Sequence, residues 1–269
     1  MSEKSVITNS PHPFTRELLV QDLTKLGVQP GMILLVHTSL SKIGYVPGGP
    51  VTVIQALQDA LTLSGTLVMP THTSDYSEPA DWCNPPVPAA WQPIIREHFP
   101  AFDPALTPTR QMGAISELFR TWPGVVRSNH PQVSFAAWGR HAAEITANHS
   151  LTPGMGDESP LGRVYALGGH VLLLGVGHAN NSSFHLGECR AGVRPFIKEG
   201  VPIVENGRRV WRAYEEVDYD DEPFPAIGAE MEEVGAVKLG QVGLAECRLF
   251  SQRTAVDFAQ HWLEKAGAG

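Results

Sequence analysis

Four apolar residues, Val171–Leu174, stand between glycines in the stretch GGHVLLLGVG, residues 168–177. An unbroken apolar run of this length, flanked by turn formers, is the pattern of a strand covered on both faces. A chain that contains one must place helices or further sheet on both sides of it. The same stretch continues as HANNSSFHLGECR. Asn180, Asn181, Ser182 and Ser183 are all helix-capping types, so a helix is expected to start among them. His185 and Glu188 are then three apart and share a helix face. A strand end, a polar turn and a helix start is where open α/β sheets bind ligands, which makes His185 the first candidate for chemistry. Spacing alone leaves it three roles: base, metal ligand, or a histidine whose hydrogen bonds serve only structure.

The first third of the chain repeats this grammar. Thr15 is placed to cap a helix running to about Gly27, with Leu18, Leu19, Leu23 and Leu26 at helical spacing. Pro30-Gly31 turns into a buried-type strand at Met32–Val36, a helix follows from about Val51 to Leu63, and Ser64-Gly65 turns into a second strand at Thr66–Met69. Strand–helix–strand with short joints predicts a parallel pair with a right-handed crossover. Both strands end in polar residues, His37, Thr38 and Ser39 after the first and Thr71, His72 and Thr73 after the second. The fold class expected is α/β: a mostly parallel central sheet flanked by helices, in a single domain over 1–269 with a loose polar tail at 1–13.

Residues 73–110 break the pattern with eight prolines, two tryptophans and the acidic residues Asp75, Glu78 and Asp81. They read as an irregular insertion, a lid or minor lobe, with one short helix near Trp91–His98. Beyond it the sequence predicts a helix at Met112–Arg120, a strand near Val133–Trp138, short helices at His141–Ala147 and Leu161–Ala166, and a hairpin at Pro202–Trp211 around Asn206-Gly207. Helices at Ala229–Val234 and Val256–Lys265 and a last strand within Gly240–Phe250 complete the list.

Composition removes several functions. Net charge is −8 over 269 residues, so a basic nucleic-acid-binding patch is not expected. No apolar run approaches the ~20 residues that span a bilayer, and the N-terminus lacks the pattern of a secretory signal, so a cytoplasmic protein with no membrane partner is expected. Cys83, Cys189 and Cys247 show no paired spacing and indicate neither a zinc ribbon nor a disulfide framework. His37, His72, His130, His178 and His185 invite a metal reading, yet no HExxH or other ligand spacing supports one. Cys189 lies one helical turn after His185, where a thiolate–imidazole pair could carry an acyl group; against this stands the usual fate of a free cysteine as a small buried apolar residue. The run YEEVDYDDE, residues 214–222, reads either as a solvated loop or, with the acidic residues of the insertion, as one wall of a cleft for a polycation.

Six segments, LLVHTSLSKIG, GTLVMPTHT, MGAISELFR, RSNHPQVSFAAWG, ESPLGRV and LLLGVGHANNSSFHLGE, occur in this order. Together they resemble the aminoglycoside 3-N-acetyltransferases, whose antibiotic N-acetyltransferase fold is distinct from that of the histone-type acetyltransferases. The resemblance covers about Leu18 to Asp221. It implies transfer of an acetyl group from acetyl-CoA to the 3-amino group of a deoxystreptamine aminoglycoside, giving antibiotic resistance, with no metal. It places the catalytic histidine at His185 within FHLGE, with Glu188 or a carboxylate of the later acidic run as its partner. It assigns His37, Thr38, Ser39 and Leu40, together with Met112 and Gly113, to the CoA side of the cleft. Asp75, Asp218, Asp220 and Asp221 would receive the cationic sugar. The loop TPGMGDESP and the insertion depart from better-known resistance members, which bears on the drug spectrum. Two other readings accompany this one: a CoA-dependent N-acyltransferase of a non-antibiotic amine in biosynthesis, and a non-enzymatic binder of polyamines or aminoglycosides in an acidic cleft.

Overall fold

The computed structural model describes residues 3–267. Seven strands form the central sheet in the order β3-β4-β2-β1-β5-β9-β8, with β1 Ile33–Thr38, β2 Thr66–Pro70, β3 Val126–Arg127, β4 Phe135–Gly139, β5 His170–Leu174, β8 Lys238–Val242 and β9 Ala245–Ser251. A separate two-stranded sheet pairs β6 (Phe196–Glu205) with β7 (Arg208–Val217). The predicted hairpin around Asn206-Gly207 is therefore present but longer than its turn signal alone suggests, ten residues in each strand.

The expected α/β sheet flanked by helices is found, but it is mixed rather than mostly parallel. β1 runs parallel to β2 and to β5, while β2–β4, β3–β4, β5–β9 and β8–β9 are antiparallel. The connections account for part of this: β3 and β4, and β8 and β9, are consecutive strands whose joining loops reverse the chain, whereas β1 and β2 are joined through the helix Pro50–Leu61, a crossover that keeps them parallel. Side chains alternate between two cores. Leu34 and Val36 of β1 face the helices at Arg16–Leu26, Pro50–Leu61 and Gly113–Phe119. Ile33 and Leu35 face those at Ala142–Thr146, Pro160–Ala166, Ser183–Ala191, Phe224–Glu233 and Gln252–Gly267. A period of two on strands that are buried on both faces produces this three-layer arrangement.

Local signals set the ends of the elements. The Thr15 side chain accepts from Leu18 N–H, and Gly27 closes the same helix at φ 114°, a capping pair worth about 1 kcal/mol at its N-terminal end. Where a loose tail is expected, Glu3–Asn9 forms a short helix with no buried residue; the polar composition predicted the exposure and not the local helix. The segment 73–110 is irregular apart from Ala89–Trp91 and Gln92–His98. It is ordered by Arg96, which donates to Glu78 at 2.9 Å, by edge contacts of Tyr76 and Trp82 on Phe99, and by the Phe102 N–H on Pro202 O in β6 at 2.9 Å.

Because β2, β1 and β5 are adjacent and parallel, their C-terminal ends lie together. Thr71-His72, His37-Thr38 and Gly175-Val176 thus share one edge of the sheet, the edge where open α/β sheets place their ligands.

Candidate active site

The helix Ser183–Ala191 carries the expected pair into that edge. Asn181 Oδ1 accepts the Ser183 N–H at 3.2 Å and starts the helix; Phe184 and Leu186 are fully buried and fix its rotation. His185 Nδ1 lies 2.9 Å from Glu188 Oε2. With Nδ1 engaged by the carboxylate, it carries the proton, and Nε2 is the ring nitrogen left for a substrate. The imidazole is held between aromatic rings, edge-on to Tyr219 at 5.0 Å and tilted on Phe224 at 4.7 Å.

Glu188 is completely buried, so its charge is tolerated only where hydrogen bonds replace water. Its second oxygen accepts from Arg194 Nε at 2.6 Å and from the Asp220 N–H at 3.2 Å. Arg194 in turn reaches Asp220 Oδ2 at 2.7 Å. Gly192, at φ 63°, makes this possible: it turns the chain back after the helix so that a residue six positions beyond Glu188 returns to it. The acidic run beyond the hairpin does fold back: its Tyr219 ring packs on the imidazole, while the Asp220 carboxylate goes to Arg194 and not to His185.

Three cavities meet at Gln111, a residue at φ 59°. The central one, about 240 Å³, is lined by His37, Thr38, His72, Met112, His185 and Asp221. A larger cleft of about 830 Å³ opens beyond Thr38 and Met112 and takes in Ser39, Leu40, Gly113 and the turn Gly48-Gly49-Pro50. That volume falls in the range of about 300–1,000 Å³ typical of cofactor and small-molecule sites. On the other side, a cavity of about 540 Å³ lies under the insertion, walled by Asp75, Asp81, Trp82 and Asn84. The expected residues therefore sort by compartment. His37, Thr38, Met112, His185 and Asp221 share the central pocket; Thr38, Ser39, Leu40, Met112 and Gly113 share the large cleft; Asp75 stands in the third. Asp220 is held by Arg194, and Asp218 is exposed with its N–H on Pro195 O at 3.0 Å, outside all three.

Burial sets the chemistry of the neighbours. His37 and His72 are each held down to about 3, first by burial and then by neighbouring positive or protonatable groups, His185 among them. Both are neutral at physiological pH. Burial pushes the Cys189 thiol up to about 12, and it contacts Tyr219 Oη at 3.7 Å; it is a buried thiol and not a thiolate. Among the described residues no cluster of three or more His, Cys, Asp or Glu side chains is arranged to hold a metal ion, and no helix is long and apolar enough to cross a membrane.

Sequence reasoning missed Gln111, Arg194 and Tyr219, while Asp81 was named within the acidic stretch of residues 75–81 that walls the third cavity. Tyr219 stands on a segment that reaches the His185 helix only through tertiary folding, and Arg194 is returned to it by the left-handed turn at Gly192. Gln111 is marked by backbone conformation, which its residue type does not betray.

The model of the family described as aminoglycoside 3-N-acetyltransferase matches residues 35–264. A relative from Bacillus subtilis (strain 168), the SPbeta prophage-derived aminoglycoside N(3')-acetyltransferase-like protein YokD, is 47% identical over 260 residues, covering 96% of each chain. Aminoglycoside N(3)-acetyltransferase VII of Streptomyces paromomycinus is 38% identical over 281 residues, covering 98% of this chain and 96% of the relative. A solved structure described as AAC-IIIb binary with CoASH superposes with a TM-score of 0.86 at 31% identity, covering 95% of this chain and 98% of that one. By sequence and by fold, the chain belongs to the aminoglycoside 3-N-acetyltransferase family.

Proposed function

We propose that the protein transfers the acetyl group of acetyl-CoA to the 3-amino group of deoxystreptamine aminoglycosides by direct attack, with His185 as general base. The observation that carries this reading is the position of His185: its Nδ1 is anchored on buried Glu188, and the ring faces a small pocket joining a large cleft to a cavity with acidic walls. Membership of the family and the CoASH complex of a relative support the donor and the reaction class.

The large cleft has the volume for acetyl-CoA, with the pantetheine end entering past Thr38 and Met112. An ammonium cannot attack a thioester, so the acceptor nitrogen must first lose a proton. That first proton leaves for solvent; His185 Nε2 takes the second as the nitrogen lone pair forms the C–N bond, the C–S bond breaks, and the imidazolium passes that second proton to the departing thiolate, leaving a neutral amide. Glu188 stabilises the imidazolium and holds its tautomer. Charge developing on the thioester oxygen needs a donor. The Ser39 N–H is occupied by Leu174 O at 2.9 Å, so the hydroxyl groups of Thr38 and Ser39 are the donors left at the end of β1. Asp75, Asp81 and Asp221 supply the negative wall for the remaining ammonium groups of the acceptor.

The raised thiol of Cys189 and its contact with Tyr219 speak against a covalent acetyl-enzyme. Release of free thiol from acetyl-CoA, measured with kanamycin-like, gentamicin-like and apramycin-like acceptors and with small amines, tests the proposal. Aminoglycoside-dependent release, with the product acetylated at N3, is expected. Release only with small amines would replace the acceptor, and no release with any amine would leave a binder. Intact mass after incubation with acetyl-CoA alone should show no added acetyl group.

A further inference from the structure

The His185–Glu188 pair does not end at Glu188. One carboxylate oxygen serves the imidazole and the other serves Arg194 Nε at 2.6 Å, while Arg194 continues to Asp220 at 2.7 Å. Glu188 is wholly buried, whereas the Arg194 side chain is 24% exposed and that of Asp220 34% exposed. The fixed charges thus alternate outward from the imidazole: carboxylate, guanidinium, carboxylate. We propose that Arg194 is a positioning residue that sets the pH at which His185 becomes a free base, by neutralising Glu188 from behind.

The argument is electrostatic. A buried carboxylate with no other partner would act on the imidazolium with its full charge. A guanidinium on the far oxygen offsets part of that charge and weakens the hold, so removing Arg194 favours the imidazolium. The other charged or titratable groups around the ring do not substitute for it. From the end of β1 and the segment after β2, His37 and His72 are neutral. On the helix itself, Cys189 is an un-ionised thiol, and from the segment after β7 come Tyr219, a phenol that burial keeps protonated, and the exposed carboxylate Asp221. Arg194 is the cation in contact with the dyad. Both its bonds are charge-assisted and use separate nitrogens of one rigid fork, a geometry that lysine reproduces only in part.

The catalytic consequence rests on His185 being the base, so the test reads the imidazole directly. The His185 ring signal is titrated by NMR in the free enzyme, assigned by its loss in H185Q. R194M is expected to raise the His185 titration midpoint by on the order of one pH unit, and R194K to restore most of it. D220N, which frees more of the Arg194 charge to act on Glu188, is expected to move the midpoint down. The acid limb of kcat/KM should follow the same order. A midpoint in R194M equal to that of the wild type overturns the inference, as does a shift of the same sign in R194M and D220N. If R194M fails to fold, R194Q keeps a donor to Glu188 without the charge and carries the same expectation. Wild-type turnover in H185Q would instead overturn the base assignment while leaving the titration result standing.

Discussion

Glu188 touches His185 Nδ1 with one oxygen at 2.9 Å and Arg194 Nε with the other at 2.6 Å, and it is shielded completely from water while doing so. A carboxylate in that position lines neither the large cleft nor the cavity under the insertion. Its effect on turnover must therefore pass through the imidazole. Glu188→Gln keeps shape and an acceptor but removes the charge that stabilises the imidazolium. Turnover should fall by about 10²–10⁴, the range for loss of effective general-base catalysis, with the KM for acetyl-CoA little changed. Steady-state kinetics at saturating aminoglycoside checks both. A large rise in that KM with turnover preserved would contradict the role.

On the proposed function, Asp75 and Asp81 of the insertion act on the acceptor. Asp75 and Asp81 wall the outer cavity and do not line the large cleft, and Asp81 is exposed. Exposed charge pairs contribute about 0.2–1 kcal/mol each. Asp75→Asn and Asp81→Asn should therefore each raise the KM for an aminoglycoside a few-fold at low salt. The difference from wild type should shrink as ionic strength rises toward 0.5 M, where the Debye length drops to about 4 Å. Unchanged KM at low salt for both variants would remove the insertion from acceptor binding.

How far the sequence could carry these assignments depended on range. His185 and Glu188 are one helical turn apart, so a capping cluster and a spacing of three were enough to place them on one face. Strand ends and matched segments pointed to Thr38–Leu40 and Met112-Gly113, which line the large cleft, and to His37, which lines the central pocket instead. Tyr219 and the Asp220 N–H meet the helix only after the β6–β7 hairpin has returned the chain, and Arg194 reaches Glu188 through the left-handed turn at Gly192, which spacing alone does not announce; Asp220 was named only as a carboxylate for the acceptor. The mixed sheet was hidden for a related reason: β3 has two residues and β8 has one buried residue in five, too little patterning to reveal an antiparallel neighbour. Asp218 was chosen by its company in an acidic run, and composition cannot say which carboxylate of a run faces inward.

Acid stability provides a third test. His37 and His72 titrate at about 3 and His130 at about 4 in the folded protein, all because burial disfavours the charged ring. In the unfolded chain the same imidazoles take protons near the ordinary value of about 6.5. Between these limits the unfolded state binds more protons than the folded one, so stability is fully present above about pH 6.5 and is lost as pH falls toward 4. Each such histidine contributes a slope approaching about 1.4 kcal/mol per pH unit within that window. Denaturant unfolding at pH 7, 6, 5 and 4.5 should show the loss, and a flat profile from pH 7 to 5 would contradict the neutral, buried state of these rings.

Gly228 makes the last prediction, and it concerns a second histidine–glutamate pair. His178 Nε2 is 2.9 Å from Glu232 Oε1, and the same oxygen accepts from Arg248 Nε at 2.6 Å. The ring stacks on Phe184 and lies against the helix Phe224–Glu233, at Gly228, where an added Cβ would sit 1.9 Å from His178 Cγ. Glycine inside a helix costs about 1 kcal/mol relative to alanine, so on propensity alone Gly228→Ala should stabilise the protein. The contact reverses the sign: the His178 ring is enclosed and cannot step aside without breaking its bond to Glu232. Overpacking of this kind costs about 1–3 kcal/mol. Ala179 to Ser182, which line the central pocket, follow His178 directly in the chain, so displacement of the ring should also disturb the wall facing His185. Gly228→Ala is expected to lower both the melting temperature and turnover, whereas Gly235→Ala, at a site open around its Cβ, should lower only the former, through its φ of 74°. Thermal melts and thiol-release rates of the two variants decide the matter, and a Gly228→Ala enzyme as stable and active as wild type would show that His178 is free to move.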